Sequence, residues 1–446
     1  MTDFASLGLS PAILKSVAEL GYTEPTPIQV QAIPLLLQDR DLMGLAQTGT
    51  GKTAAFGLPL IQKLSGYGAR PGPRATHALI LAPTRELVNQ IATNLRGFVR
   101  HSHLKVTSVV GGQSINAQTN ALQRGTDILV ATPGRLLDLV ERKAIRLDTA
   151  KVLILDEADQ MLDLGFIHAL RRIAKMVGTP RQTMLFSATM PKLIADLSRD
   201  YLTDPVRVEV SPPGRTADLV AQSVHFVDQR AKTGLLTDLL SQRPDDLSLV
   251  FARTKHGAEK LMKTLAKSGL AAASIHGNKS QGQRERAIKA FRDGEIRVLV
   301  ATDVAARGID IPGVSHVYNY DLPEVAEAYV HRIGRTARAG AEGKAVALCT
   351  PADMHLLRGV EKLTGISLEV AGGTEPSRQA AAQAADDVSK ERRDAQRQRQ
   401  GNRPRPAPSR GGQKASEPRS AQKQGDQQRP AGNNKRRRPR RHRAAA

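Results

Sequence analysis

Short apolar runs recur along the chain, separated by amphipathic stretches: DLMGLA (41–46), ALILAP (78–83), VTSVV (106–110), DILVAT (127–132), KVLILD (151–156) and TMLFSAT (183–189). A run that is apolar without alternation fits a strand covered on both faces, and so a parallel sheet with helices on either side. A second set follows: SVHFV (223–227), LSLVFA (247–252), AASIHG (272–277), RVLVATD (297–303), HVYNYD (316–321) and KAVALCT (344–350). The pattern predicts an α/β chain with two tandem domains, each on its own parallel sheet.

Between the two sets lies Val210, Ser211, Pro212, Pro213, Gly214, Arg215, Thr216, where paired prolines forbid helix and glycine permits a turn. The predicted bounds are 1–209 for the first domain, 210–216 for the linker and 217–371 for the second domain. From 372 onward apolar residues other than Ala almost vanish, and Gln, Arg, Pro and Gly dominate. Such a segment buries too little surface to offset its ordering entropy, so 372–446 is predicted to be a disordered tail.

Charge sharpens this picture. The 446 residues carry a formal net charge of +22, which points to a polyanionic partner. Residues 376–446 hold 20 Lys or Arg against 6 Asp or Glu, so +14 of that excess sits in the tail. The one cysteine, Cys349, stands in the apolar run AVALC, which excludes a disulfide framework and fits a reducing compartment. The N-terminal MTDFASLGLSPAIL lacks the basic start and apolar core of a signal peptide, and no stretch approaches a membrane span. A soluble, cytoplasmic protein with no membrane partner is expected.

Two motifs carry chemistry. AQTGTGKT (46–53) follows the first strand and opens a helical stretch, where backbone N–H groups and the helix N-terminus can cradle phosphates. In that reading Thr48, Gly49, Thr50 and Gly51 form the cradle, Lys52 reaches the β and γ phosphates, and the Thr53 hydroxyl ligates Mg²⁺. The general pattern begins with Gly, and here Ala46 stands in its place. About a hundred residues on, KVLIL delivers Asp156, Glu157, Ala158 and Asp159 at a strand's carboxyl end, where open α/β sheets bind ligands. Asp156 can hold Mg²⁺ there, and Glu157 can orient a water for attack on the γ-phosphate.

With these motifs in place the chain resembles the DEAD-box RNA helicases, from Phe4 to about residue 370. GYTEPTPIQ (21–29) resembles the family's adenine-reading Q motif, which implies ATP, with Tyr22 against the base and Gln29 on its edge. PTREL (83–87), Gly111 and Gly112, TPGR (132–135), DEAD (156–159) and SAT (187–189) follow in order. VFARTK (250–255), IHGNKSQ (275–281), ATDVAARGID (301–310) and HRIGRTARAG (331–340) follow in the second half.

The resemblance implies two RecA-like domains that close over ATP and RNA. It gives Asp310 to the ribose, Arg335 and Arg338 to the γ-phosphate as arginine fingers, and Ser187 and Thr189, through bonds back toward the acidic motif, to the coupling of hydrolysis with unwinding. A planar, permanently charged guanidinium suits the finger role. Ala337 departs from the family's usual Gly. The compact core with one short tail is similar to the bacterial RhlE-like subgroup.

Aromatic residues make up 3% of the chain and no RNP-like pattern appears, so reading by stacked bases is not expected. Thr84, Arg85, Gly111, Gly112, Thr132 and Arg135 in the first domain, with Gly277 and Thr302 in the second, suit phosphate and sugar contacts, which carry no base information. The tail, with NKRRRPRRHR at 434–443, is expected to bind RNA through charge and to weaken with salt. The expected action is local strand separation without translocation by a monomer, on substrates such as ribosomal precursors or RNAs in decay. Two rivals remain: a DNA helicase or translocase on the same scaffold, and an RNA-binding or annealing protein whose ATPase is incidental and whose tail does the work.

Overall fold

A computed structural model describes residues 3–47, 49–190, 192–210, 220–306, 311, 313–337, 342–384, 386–387 and 390. Within it the chain forms two parallel sheets of seven strands. The first holds β1 (Leu42–Leu45), β2 (Thr76–Leu81), β3 (Val106–Val109), β4 (Thr126–Ala131), β5 (Val152–Leu155), β6 (Gln182–Ser187) and β7 (Val206–Glu209). The second holds β8 (Val220–Phe226), β9 (Leu247–Phe251), β10 (Ala272–Ile275), β11 (Val298–Ala301), β12 (Val314–Asn319), β13 (Gly343–Cys349) and β14 (Glu369–Gly372).

The orders are β3-β4-β2-β5-β6-β1-β7 and β10-β11-β9-β12-β13-β8-β14. With β8 counted as a first strand, the second order repeats the first strand for strand, so the chain is a structural duplication. Both sheets were legible in the apolar runs, save their last strands. VRVE in β7 and EVAG in β14 are short, largely exposed edge strands without a continuous apolar run.

Strand periodicity explains the layers. In β2, Ala78 and Ile80 enter one core with Ile128, Ile154, Phe186 and the helices Pro27–Leu37, Lys52–Ser65 and Arg85–Phe98. Leu79 and Leu81 enter the opposite core with Leu129, Leu153 and Leu185. Successive side chains point to opposite faces, so a run apolar at every position is what a two-sided sheet requires. The second sheet divides likewise: Leu249, Leu299 and Val317 on one face, Val250, Val300 and Tyr318 on the other. Of the predicted linker only Val210 is described; it bonds through its N–H to Leu45 O at 3.0 Å. Residues 391–446, most of the predicted tail, lie outside the described residues.

Candidate active site

The phosphate-loop motif leaves β1 at Leu45, and Ala46 N–H donates to Ser187 O at 3.0 Å, so the loop's root is tied to the end of β6. Gly49 and Gly51 adopt φ of 89° and 91°, a left-handed backbone that glycine tolerates without penalty. Gly51 is also pressed from behind: a Cβ there would lie 2.4 Å from Gln29 Nε2. That Nε2 donates to Gly51 O at 3.1 Å, and Gln29 Oε1 accepts from Thr26 N at 2.9 Å. Gln29 therefore closes a capping box at the start of its own helix while holding the loop. Tyr22, half-buried, packs edge-on against Phe4 and Phe98.

Lys52 opens the helix Lys52–Ser65 and is buried; its Nζ donates to Ala46 O at 3.0 Å and lies 3.9 Å from Asp156 Oδ1. Thr50 Oγ donates to Gln47 O at 2.7 Å, and Thr53, one residue into the helix, is partly exposed. Thr48 lies outside the described residues.

At the end of β5, Asp156 is 2% exposed and accepts from Glu157 N–H at 3.0 Å. Burial pushes the Asp156 carboxyl up to about 6 against the opposing pull of Lys52, and the Glu157 charge adds to the rise. A carboxylate so desolvated gains from meeting a cation. Glu157 takes φ 53°, unusual for a side chain of its size, and turns the chain from strand into the helix Ala158–Asp163.

Asp159 joins the acidic motif to the SAT segment. Its Oδ2 accepts from Ala188 N–H at 3.1 Å, Thr189 N–H at 3.0 Å and Thr189 Oγ at 3.0 Å. Ser187 Oγ accepts from Asp159 N–H at 3.3 Å and donates to Thr189 O at 2.7 Å. Ser187 and Thr189 thus bond back to the acidic motif at its fourth residue, Asp159.

The second domain faces this cluster. Gln47, Ala188 and Thr189 line a small cavity with Val330, His331, Gly334 and Arg335. His331 Nε2 lies 3.9 Å from Asp159 Oδ2, and Arg335 is 5% exposed, its Nε donating to His331 O at 3.3 Å. Arg332, one residue along, points inward instead. It forms a two-point pair with Asp303 at 2.5 and 2.7 Å and sits over the Phe251 ring. Arg338 and Asp310 lie outside the described residues.

A second group gathers at the carboxyl ends of the neighbouring strands β2, β4 and β3. Thr84 caps the helix Arg85–Phe98 by accepting from Leu87 N–H. The Arg85 guanidinium lies against Gly111 and Gly112; a Cβ on Gly112, whose φ is 79°, would lie 2.1 Å from Arg85 Nη1. Thr132 precedes the helix Pro133–Glu141, and Arg135 Nη1 donates to Gln113 O at 3.1 Å. In the second sheet Gly277 and Thr302 follow β10 and β11, the counterparts of β3 and β4, and Thr302 N–H donates to Ile275 O at 3.3 Å. Gly277 is exposed.

Between these groups the domains meet through charge. Glu86 Oε1 pairs with Arg284 Nη2 at 3.1 Å and accepts from Gln281 Nε2 at 3.3 Å, while Arg85 Nη1 donates to Gln281 Oε1 at 3.4 Å. Gln281 and Arg284 went unnoticed in the sequence; their three-residue spacing, which sets both on one helix face, was the available signal.

Comparison with known proteins agrees with this geometry. The DEAD/DEAH box helicase family pattern matches residues 26–197, and the helicase conserved C-terminal domain pattern matches residues 231–340. The chain is 45% identical over 364 residues to the ATP-dependent RNA helicase CshA of Listeria monocytogenes, spanning 82% of this chain and 69% of that protein. Identity to the Bacillus subtilis DEAD-box ATP-dependent RNA helicase CshA is 44% over 361 residues, 81% of this chain and 72% of the relative. Among solved structures it is similar to S. cerevisiae Dbp5 bound to RNA and ADP BeF3, with TM-score 0.74, 32% identity and coverage of 83% and 96%. Mss116p bound to ssRNA and AMP-PNP gives TM-score 0.76 at 28% identity, covering 86% of this chain and 82% of that one.

Proposed function

Because the chain belongs to the DEAD-box ATP-dependent RNA helicase family, we propose that it separates short RNA duplexes by closing its two RecA-like domains over ATP and RNA. It is an RNA-dependent ATPase. The observation that carries the reading is a buried Lys52–Asp156 centre in the first domain together with a cavity where Gln47, Ala188 and Thr189 of that domain meet Arg335 of the second.

In this reading Tyr22 and Gln29 take the adenine, Asp310 the ribose, and the backbone from Thr48 to Thr53 the phosphates. The left-handed backbone at Gly49 and Gly51 supports the cradle, since it shapes the loop in a way that a residue with a side chain rarely allows. Lys52 neutralises the β and γ phosphates, and Glu157 orients the attacking water. Thr53 and Asp156 would hold Mg²⁺, and the desolvated Asp156 fits that task. Mg²⁺, when bound, offsets charge developing on the phosphate oxygens.

Arg335 and Arg338 act as arginine fingers that complete the site only on closure, which makes hydrolysis depend on RNA. Ser187 and Thr189 couple the steps through Asp159. RNA lies along Thr84, Arg85, Gly111, Gly112, Thr132, Arg135, Gly277 and Thr302, groups that hold backbone and leave bases unread. Contacts to the 2′-OH select RNA over DNA.

We extend the reading to a cytoplasmic monomer acting on structured RNA, ribosomal precursors or decay intermediates among them, with the basic tail as a tether. The relatives named above are CshA proteins, so the RhlE-like subgroup is no part of the conclusion. Among the described residues no helix is long and apolar enough to cross a membrane. The test is release of a short strand from an RNA duplex with a single-stranded flank. Separation is expected with ATP and wild-type protein, and none in multiple turnovers with Glu157→Gln. Strand release that ignores ATP would favour the RNA-binding alternative, and strand joining that ignores ATP, with no release, the annealing one.

A further inference from the structure

In the second domain one carboxylate gathers an unusual number of donors. Glu259, in the second turn of the helix Lys255–Lys267, accepts on the single oxygen Oε2 from Ser274 Oγ at 2.7 Å, Lys279 Nζ at 2.8 Å and His276 Nε2 at 3.1 Å. Lys263 Nζ approaches its other oxygen at 3.7 Å. His276 is held from both sides, because its Nδ1 accepts from Asn278 N–H at 3.3 Å. An accepting Nδ1 carries no proton, so the ring proton sits on Nε2 and points at Glu259. Lys255 Nζ donates to Asn278 Oδ1 at 3.0 Å, and Lys279 N–H closes the turn onto His276 O at 3.0 Å. Every residue of the loop 276–279 except Gly277 is thereby fixed by its neighbours.

We propose that Glu259 is a positioning residue that holds the loop 276–279 in the conformation that engages the RNA backbone, with Gly277 and the Lys279 ammonium aimed together at one strand. This rests on the reading that Gly277 faces RNA. The loop follows β10 as the Gly111–Gly112 loop follows β3, so it occupies the matching place in the duplicated fold. There the loop is held by Gln118, whose Nε2 donates to Val110 O at 2.9 Å, and by Arg135 on Gln113 O. Glu259 performs the equivalent restraint in the second domain with a charge. The converging donors, Lys279 first, then Ser274 and His276, hold its carboxyl down to about 2, so it stays anionic wherever the enzyme works. Lys279, exposed enough to meet a phosphate, is kept from wandering by an anion that sits behind it.

The experiment measures RNA-stimulated ATP hydrolysis against the concentration of a single-stranded RNA oligonucleotide, with the full chain. Variants are Glu259→Ala, Glu259→Gln, Glu259→Asp and Gly277→Asp. Gln keeps the packing and removes the charge, so it reports even if Ala unfolds. A Cβ on Gly277 would meet nothing within 4 Å, so Gly277→Asp disturbs ligands rather than the fold. Expected is a rise of about tenfold in KM for RNA with Ala and Gln, and kcat at saturating RNA within about twofold of wild type. Asp should recover most of the loss. An unchanged KM in the Glu259 variants, with KM raised in Gly277→Asp, overturns the positioning role and leaves the loop on RNA. An unchanged KM in Gly277→Asp removes the loop from the RNA path and the proposal with it.

Discussion

Glu86 and Arg284, from the first and second domains, form an ion pair at 3.1 Å with side chains only 8% and 12% exposed. Arg284 Nη2 also donates to Ala305 O at 3.2 Å inside the second domain, so on that side the pair is built into the domain, while Glu86 meets it only across the interface. Removing one member of a desolvated pair is costly because the other charge is left behind, typically by about 3–5 kcal/mol. Glu86→Ala should lower RNA-stimulated kcat/KM at least tenfold while leaving the melting temperature of the chain nearly unchanged. The exchanged pair, Glu86→Arg with Arg284→Glu, should recover part of the loss. Steady-state kinetics beside calorimetry reads both.

Gly51 is barred from carrying a side chain by its φ of 91° and by Gln29 behind it. Gly51→Ala should displace either the loop or Gln29, and nucleotide affinity should fall by about tenfold or more, read by titration with a fluorescent ATP analogue. Gln29→Ala should weaken binding less, because the backbone conformation survives.

A buried charge cluster in the second domain answers the Lys52–Asp156 pair of the first. Lys232, fully buried after β8, lies 3.3 Å from Asp321 Oδ1 and 3.6 Å from Asp353 Oδ2, and Arg253 pairs with Asp353 at 3.0 Å. Strands β8 and β12 occupy the places of β1 and β5, so the duplicated crevice is filled here by the chain's own ion pairs. Lys232→Met should destabilise the second domain by about 3 kcal/mol, since it leaves the Asp321 carboxylate without a cation and Asp353 with Arg253 alone.

The same cluster sets an acid sensitivity. Burial works to raise the Asp353 carboxyl, but Lys232, Thr350 and Arg253 outweigh it and hold it below its ordinary 3.8. A depressed carboxyl contributes stability that is complete above the unfolded value and lost as pH falls through the folded one. Asp353→Asn should therefore remove stability at neutral pH and flatten its decline below about pH 4, measured by urea unfolding across pH.

Ala337 sits at φ 53°, where a Cβ costs roughly 1 kcal/mol and glycine pays nothing comparable. Ala337→Gly should raise the melting temperature by about 2–4 °C. Because Arg335 is two residues away, its effect on kcat also tests how tightly that arginine is held.

Much of this was legible in the sequence because the informative features are local. A buried parallel strand announces itself as an apolar run, and GTGKT and DEAD are contiguous strings whose chemistry follows from adjacent residues. β7 and β14 stayed hidden because half-exposed edge strands carry no such run. The sequence reading foresaw the bond from SAT to the acidic motif but not that it falls on Asp159, and the Glu86–Arg284 contact joins different domains. The second role of Gln29, capping its own helix, was masked by its expected role toward adenine. Pairings set by tertiary packing leave no pattern along one chain.

The central claim is that Arg335 and Arg338 reach the nucleotide only when RNA closes the domains. The measurement that tests it most directly is ATP hydrolysis with no nucleic acid, with single-stranded RNA and with single-stranded DNA of the same sequence, on wild type, Arg335→Ala and Glu157→Gln. The expected result is slow hydrolysis alone, strong stimulation by RNA and little by DNA, with both variants losing the stimulated rate. Hydrolysis equally fast without RNA, or stimulated equally by DNA, would contradict the account.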